Sequence, residues 1–210
     1  MICSVREYRD SCIRKVVYFM SVRIKIKPLL WLAMLLMLVG CNGKLSLIKD
    51  SFRFYNSEVS FPDQMLLIEN GDTSTVAMPK IDKPMLVRFY GSYECSDCAL
   101  NHMRDNVRLE KYSKKNGLFD FIVILAPPTE ESESIINKAI GMSLPLRIYV
   151  DSSHYYESEG IIPKSEATHT FMIDTHYTPF YLGNPLRSTK DKEHFEKYLT
   201  KYLTLHNQSY

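Results

Sequence analysis

Two cysteines three residues apart, Cys95 and Cys98 in Glu94-Cys95-Ser96-Asp97-Cys98, offer the most chemistry in this chain. A thiolate is the nucleophile of disulfide exchange, and a Cys-x-x-Cys pair can accept and pass on one disulfide. The pair follows an apolar run, Met85 to Tyr90, that reads as a strand. It opens a segment from Ser96 to about Lys111 with Leu100, Met103, Val107 and Tyr112 at helical spacing. A strand feeding a helix at this point puts the dithiol at a helix N-terminus, where unpaired N–H groups and partial positive charge stabilise a thiolate. Cys95 is expected to attack and Cys98 to resolve the mixed disulfide. The exchange calls for no cofactor and no metal. A fixed structural disulfide is the bland alternative.

The other cysteines fall in a leader. Arg23, Lys25 and Lys27 precede an apolar run, Pro28 to Val39. That run is shorter than the ~20 residues a membrane-spanning helix needs and suits a signal-peptide core. It ends in Leu38-Val39-Gly40-Cys41, which resembles the lipobox of bacterial lipoproteins. That resemblance implies cleavage before Cys41 and lipidation of its sulfur. Met20 would start a signal of conventional length, so Cys3 and Cys12 are expected to be absent from the mature protein. The expected organisation is a signal region over 1–40, a lipid-anchored tether over 41–60 and a folded domain over 61–210. Only Cys95 and Cys98 then remain as free thiols of an exported protein, a setting in which disulfides form and persist. The expected location is the bacterial cell envelope, on the extracytoplasmic side.

Charge narrows the partners. The first 40 residues hold 7 of the 26 Lys and Arg and 2 of the 24 Asp and Glu, leaving 19 basic and 22 acidic residues, a net of −3. That balance is a poor match to a phosphate backbone, so nucleic acid is not an expected partner.

Around the dithiol the pattern alternates. Gln64 to Glu69 and Asp72 to Met78 flank Asn70-Gly71, the strongest short hairpin signal. Asn42 to Asp50 reads as a polar tether. Asp120 to Leu125 is a buried strand ended by Pro127-Pro128, and Thr129 to Met142 a helix with Thr129 as N-cap. Leu146 to Val150, Thr170 to Ile173 and Pro179 to Leu182 are strands, the last two a hairpin. Lys190 to Leu205 is a closing helix with Phe195, Tyr198, Leu199 and Tyr202 inward. Tyr155 and Tyr156, between Ser152 and Gly160, belong either to loop packing or to a partner surface. This order predicts an α/β, three-layer α/β/α fold with a mixed sheet and an N-terminal hairpin extension.

Two stretches carry a resemblance. Val87-Arg88-Phe89-Tyr90-Gly91-Ser92-Tyr93-Glu94-Cys95-Ser96-Asp97-Cys98 resembles the active-site strand and loop of the TlpA/ResA-like thiol-disulfide oxidoreductases. Thr168-His169-Thr170-Phe171-Met172-Ile173-Asp174 resembles their Pro-Thr-Thr-Phe-Leu-Ile-Asp segment. The likeness covers roughly residues 60 to 205. It implies a thioredoxin-like fold, redox action on protein thiols and disulfides, and a membrane-side electron donor. The Pro-x-x-x-Thr/Ser-x-x-Cys pattern of peroxiredoxins is missing.

Three departures from the family matter. Thr168 occupies the slot of its cis-proline. A cis bond before a non-proline residue costs ~3–4 kcal/mol, so a trans loop is expected. Arg88 stands where the family often buries an acid behind the dithiol. Glu94 replaces the aromatic before the first cysteine. Glu94 and Asp97 thus bracket Cys95 with negative charge, which opposes the helix dipole, raises the thiol pKa and favours reductase over oxidase. His102, one turn into the helix, and His169, in the loop that abuts the dithiol in this fold, could instead join the two sulfurs in a Cu(I) or Zn site.

Overall fold

The structure, a computed structural model, describes residues 42–77 and 80–207. The signal region, the lipobox and Cys41 lie outside them. The chain divides into two units, Met1–Leu45 and Ser46–Tyr210, and the second carries all seven strands.

The strands are β1 (Met65–Glu69), β2 (Asp72–Val76), β3 (Met85–Tyr90), β4 (Asp120–Leu125), β5 (Arg147–Val150), β6 (Thr170–Ile173) and β7 (Pro179–Leu182). The helices are α1 (Asn42–Tyr55), α2 (Ser96–Asn116), α3 (Ser132–Gly141), α4 (Tyr155–Ser158) and α5 (Thr189–Asn207). One sheet runs in the order β2-β1-β5-β4-β3-β6-β7. β3, β4 and β5 are parallel neighbours, while β1, β2, β6 and β7 pair antiparallel. The predicted hairpin is therefore continuous with the main sheet. Asn70 (φ 54°) and Gly71 (φ 90°) make its turn, both in the left-handed region that the Asn-Gly pair anticipates.

Alternation along β3 shows how the sheet divides two cores. Leu86 and Tyr90 point to one side; Met85, Val87 and Phe89 point to the other. The first side is covered by α2, α3 and α5 through Leu100, Met103, Ile135, Ala139, Phe195 and Leu199. The second is covered by α1, α4 and loops through Phe54, Val59, Ile81, Tyr156 and Ile162. This is the three-layer mixed α/β arrangement of a thioredoxin-like fold.

Four local expectations change. Asn42 to Asp50 is not an irregular tether but part of α1, which is held to the core by Phe54, edge-on to Phe171 at 4.9 Å. Thr129 does not cap α3: residues Thr129–Glu131 form a 3₁₀ turn, and the Thr129 hydroxyl lies 3.2 Å from His154 Nε2. Tyr198 is 41% exposed rather than inward, because Phe195 and Leu199 already fill the α5 contact with the sheet. The Ser152–Gly160 stretch contains α4, whose first N–H groups, on Tyr155 and Tyr156, donate to the buried carboxylate of Asp151. Tyr156 is core and stacks edge-on against Phe61 and Phe89.

Candidate active site

The dithiol lies where β3 ends and α2 begins. Cys95 is the N-cap of α2, with extended backbone (φ −61°, ψ 115°), and its Sγ accepts the Cys98 N–H at 3.3 Å. Cys95 and Cys98 are joined as a disulfide with Cα atoms 5.1 Å apart. Both are exposed. The expected division between an attacking Cys95 and a resolving Cys98 is therefore not one of burial in this form.

Topology brings a second segment to the same end of the sheet. β6 runs antiparallel to β3, with Arg88 opposite Thr170. The start of β6 thus meets the end of β3, and the residues just before it, Thr168 and His169, pack beside the dithiol loop. Phe89 N–H donates to the His169 carbonyl at 2.8 Å. No peptide among the described residues is cis, so the Thr168 loop is trans as expected. Thr168 closes a 3₁₀ turn, Glu166–Thr168, and its hydroxyl donates within that loop, to Ser165 O at 2.7 Å.

Glu94 does not simply project beside Cys95. Its Oε1 lies 2.7 Å from Nδ1 of His169 and accepts the Gly91 N–H at 3.3 Å. His169 is wholly buried. Its Nε2 lies 3.1 Å from the Pro163 carbonyl and 2.8 Å from the Tyr93 hydroxyl. Burial opposes the Glu94 carboxylate, but the contact and charge of His169, the Gly91 N–H and the Arg88 guanidinium together hold its pKa below the usual range. Tyr93 is pushed well above the ordinary phenol value by burial and then by the carboxylates of Glu157, Glu94 and Glu166.

Two further residues position this loop. Gly91 allows the chain to pass where a Cβ would come within 2.7 Å of Tyr93 Cζ and 2.8 Å of Glu157 Oε1. Glu157, on α4, accepts from both the backbone N–H and the hydroxyl of Ser92. Sequence reasoning missed Glu157: it lies 65 residues from Ser92, and no local pattern marks it. Arg88 donates to Thr170 Oγ1 at 2.8 Å and lies 4.7 Å over the Tyr90 ring. The described atoms do not include the side chains of Ser96 and Asp97, so the expected charge of Asp97 lies outside them.

The residues of the metal reading are not brought together. His102 is mostly exposed and faces Asp105 at 3.6 Å, while His169 is enclosed by Glu94, Tyr93 and Pro163. Among the described residues, no group of three His, Cys, Asp or Glu is placed to hold a metal ion.

The fold and the vicinal cysteines together define a thioredoxin-like domain with a redox-capable dithiol. No protein-family model and no curated protein matches the sequence. Solved structures do match. The pneumococcal exposed lipoprotein thioredoxin of Streptococcus pneumoniae is similar at 17% identity and a TM-score of 0.42, over 64% of this chain and 97% of that one. A thioredoxin domain of a thiol-disulfide oxidoreductase from Bacteroides vulgatus is similar at 18% identity and 0.42, over 68% and 98%. AhpC of Enterococcus faecalis is similar at 11% identity and 0.46, over 73% and 96%.

Proposed function

We propose that this chain is an extracytoplasmic thiol-disulfide oxidoreductase of the bacterial cell envelope, lipid-anchored at Cys41, that reduces disulfides of exported proteins. The observation that carries the redox reading is an exposed Cys95–Cys98 disulfide at the first turn of α2, with the Cys98 N–H already directed at Cys95 Sγ. A bridge that only stapled the fold has no need of an exposed helix tip. The TlpA/ResA-like stretches support the same reading.

In the reduced form, the Cys95 thiolate attacks one sulfur of a client disulfide. A Cys95–client disulfide forms, and the other client sulfur leaves as a thiolate that takes a proton. Deprotonated Cys98 then attacks Cys95 Sγ, releasing the second client thiol and closing the Cys95–Cys98 bond. Two electrons pass from dithiol to client, and a membrane-side dithiol donor restores them. The α2 N-terminus stabilises the attacking thiolate. The Glu94 carboxylate opposes this, though Arg88 and His169 offset its charge. The opposition is smaller than sequence spacing alone implies, and it still favours reduction of clients over oxidation.

Trapping tests this. Cys98→Ser should accumulate mixed disulfides through Cys95, and Cys95→Ser should accumulate none. If both variants are free of adducts, and the wild-type bond resists glutathione buffers, the pair is a structural staple.

A further inference from the structure

Helix α1 presents an apolar face that no described residue covers. Phe54 is its anchor to the core, 1% exposed. On the opposite side, Ile48 is 67% exposed and Phe52 71%, whereas Tyr55 turns back toward the Leu182 backbone. The four-residue spacing of Ile48 and Phe52 places them one above the other on a single face. Lys49 and Arg53, both exposed, each follow a member of that row by one position. Two large apolar side chains, almost fully in water and accompanied by cations, are the surface chemistry of a helix lying in a lipid interface: the apolar row enters the acyl boundary and the long basic chains reach the anionic headgroups. No helix among the described residues is long and apolar enough to cross a membrane. The sequence also places the bilayer within reach. Ile48 is seven residues after Cys41 and six into α1 from Asn42, about 9 Å of helical rise at ~1.5 Å per residue.

We propose that the Ile48–Phe52 face of α1 lies on the anionic phospholipid surface to which Cys41 is attached, so that the membrane is bound through the folded domain as well as through the lipid. The partner chemistry follows from complementarity: Lys49 and Arg53 match anionic headgroups, while Ile48 and Phe52 supply the apolar insertion. This rests on the proposed anchor at Cys41. A single acyl chain gives only marginal binding, and a second signal makes it stable; with a lipoprotein anchor, the face instead sets which side of the domain meets the membrane.

The test uses the full chain, expressed in bacteria and reconstituted into phosphatidylglycerol/phosphatidylethanolamine vesicles with brominated acyl chains. The chain has one tryptophan, Trp31, in the leader. Phe52→Trp in a Trp31→Phe background therefore gives a single reporter at an exposed position. The expected result is a blue-shifted emission, quenched at least about twofold by bromolipid and restored when Ile48 is also changed to Ser and Lys49 and Arg53 to Gln. Dithiol exchange should be unchanged by these substitutions. Emission like that of water-exposed tryptophan, with no quenching, overturns the proposal. So does a blue shift without bromine quenching, which reports a protein cover such as a second copy. Mass spectrometry of the N-terminal peptide reads the anchor separately. An unmodified Cys41 with quenched Phe52→Trp refutes the anchor alone; a lipidated Cys41 with no quenching refutes the face alone.

Discussion

The two faces of the sheet are built in different ways. On one, three helices of ten or more residues lay continuous apolar stripes over Leu86, Tyr90, Phe121 and Val123, and Phe195 sits among Phe119, Tyr112 and Tyr181. On the other, a four-residue helix, one anchored side chain of α1 and several loops enclose an aromatic core and also carry polar fasteners. Glu157 and His169 belong to this second side, and both reach the dithiol loop. The contrast separates two tasks: the helical face supplies stability through area, and the loop-covered face places the chemistry through a few directed contacts.

Substitutions can break this contrast, and the largest effect is expected on the helical face. Phe195→Ala removes a ring 1% exposed and should cost about 3–5 kcal/mol, read as a fall in the denaturant midpoint. The redox equilibrium of the surviving folded protein with glutathione should stay as in wild type. A large change in that equilibrium would mean that the helical face also sets the chemistry.

Gly91→Ala comes next and should do the reverse. Its Cβ forces Tyr93 or the Glu157 carboxylate to move, an overpacking cost of about 1–3 kcal/mol. Displacing the loop that carries Cys95 should slow client reduction by about ten- to a hundredfold. Stopped-flow exchange with a model disulfide would measure this, and an unaltered rate at lowered stability would show the loop to be mere packing.

Glu94→Gln is the smallest and most diagnostic. Removing one charged partner of a half-buried contact should cost about 1–2 kcal/mol at neutral pH. The folded state holds the Glu94 pKa below its unfolded value, so its contribution is complete above the ordinary glutamate value near ~4.3. It is lost as pH falls through the depressed folded value. Stability curves of wild type and Glu94→Gln should therefore run apart at pH 6–8 and converge below about pH 4. The alkylation midpoint of Cys95 should also move down in the variant, by less than a factor of ten in proton affinity, because Arg88 and His169 already offset the charge. Parallel curves down to pH 3 would remove Glu94 from the linkage.

The helical face was legible in the sequence because its signals are local. Leu100 and Met103 repeat at helical spacing, and Asn70-Gly71 names its own turn. The strands around the dithiol are near-continuous apolar runs, interrupted in β3 by Arg88, as strands buried on both sides tend to be. The loop-covered face was legible only in part. α1 shows no inward stripe because, among its described residues, its core contact rests mainly on Phe54. α4 forms because the buried Asp151 caps it, a contact with no periodicity. Tyr198 fits the helical pattern of α5, yet Phe195 and Leu199 leave it outside. Glu94 was visible as a charge beside Cys95. Its direction was not, since that depends on His169, 75 residues away in sequence and brought near by the antiparallel register of β6 on β3.

One atom, Cys95 Sγ, is both the cap of α2 and half of the redox couple. A thermodynamic cycle then ties the two properties. The difference in folding free energy between the reduced and oxidised protein must equal the difference in redox free energy between the folded and unfolded dithiol. For this two-electron exchange, about 30 mV of potential corresponds to about 1.4 kcal/mol of folding stability. A thiolate is a stronger acceptor than a disulfide sulfur, so reduction strengthens the first turn of α2. Whatever loosens that turn weakens the reduced form most, and the dithiol gives up its electrons more readily. The helix cap is in this sense a voltage setting, and a melting curve taken in each redox state would read it without any client at all.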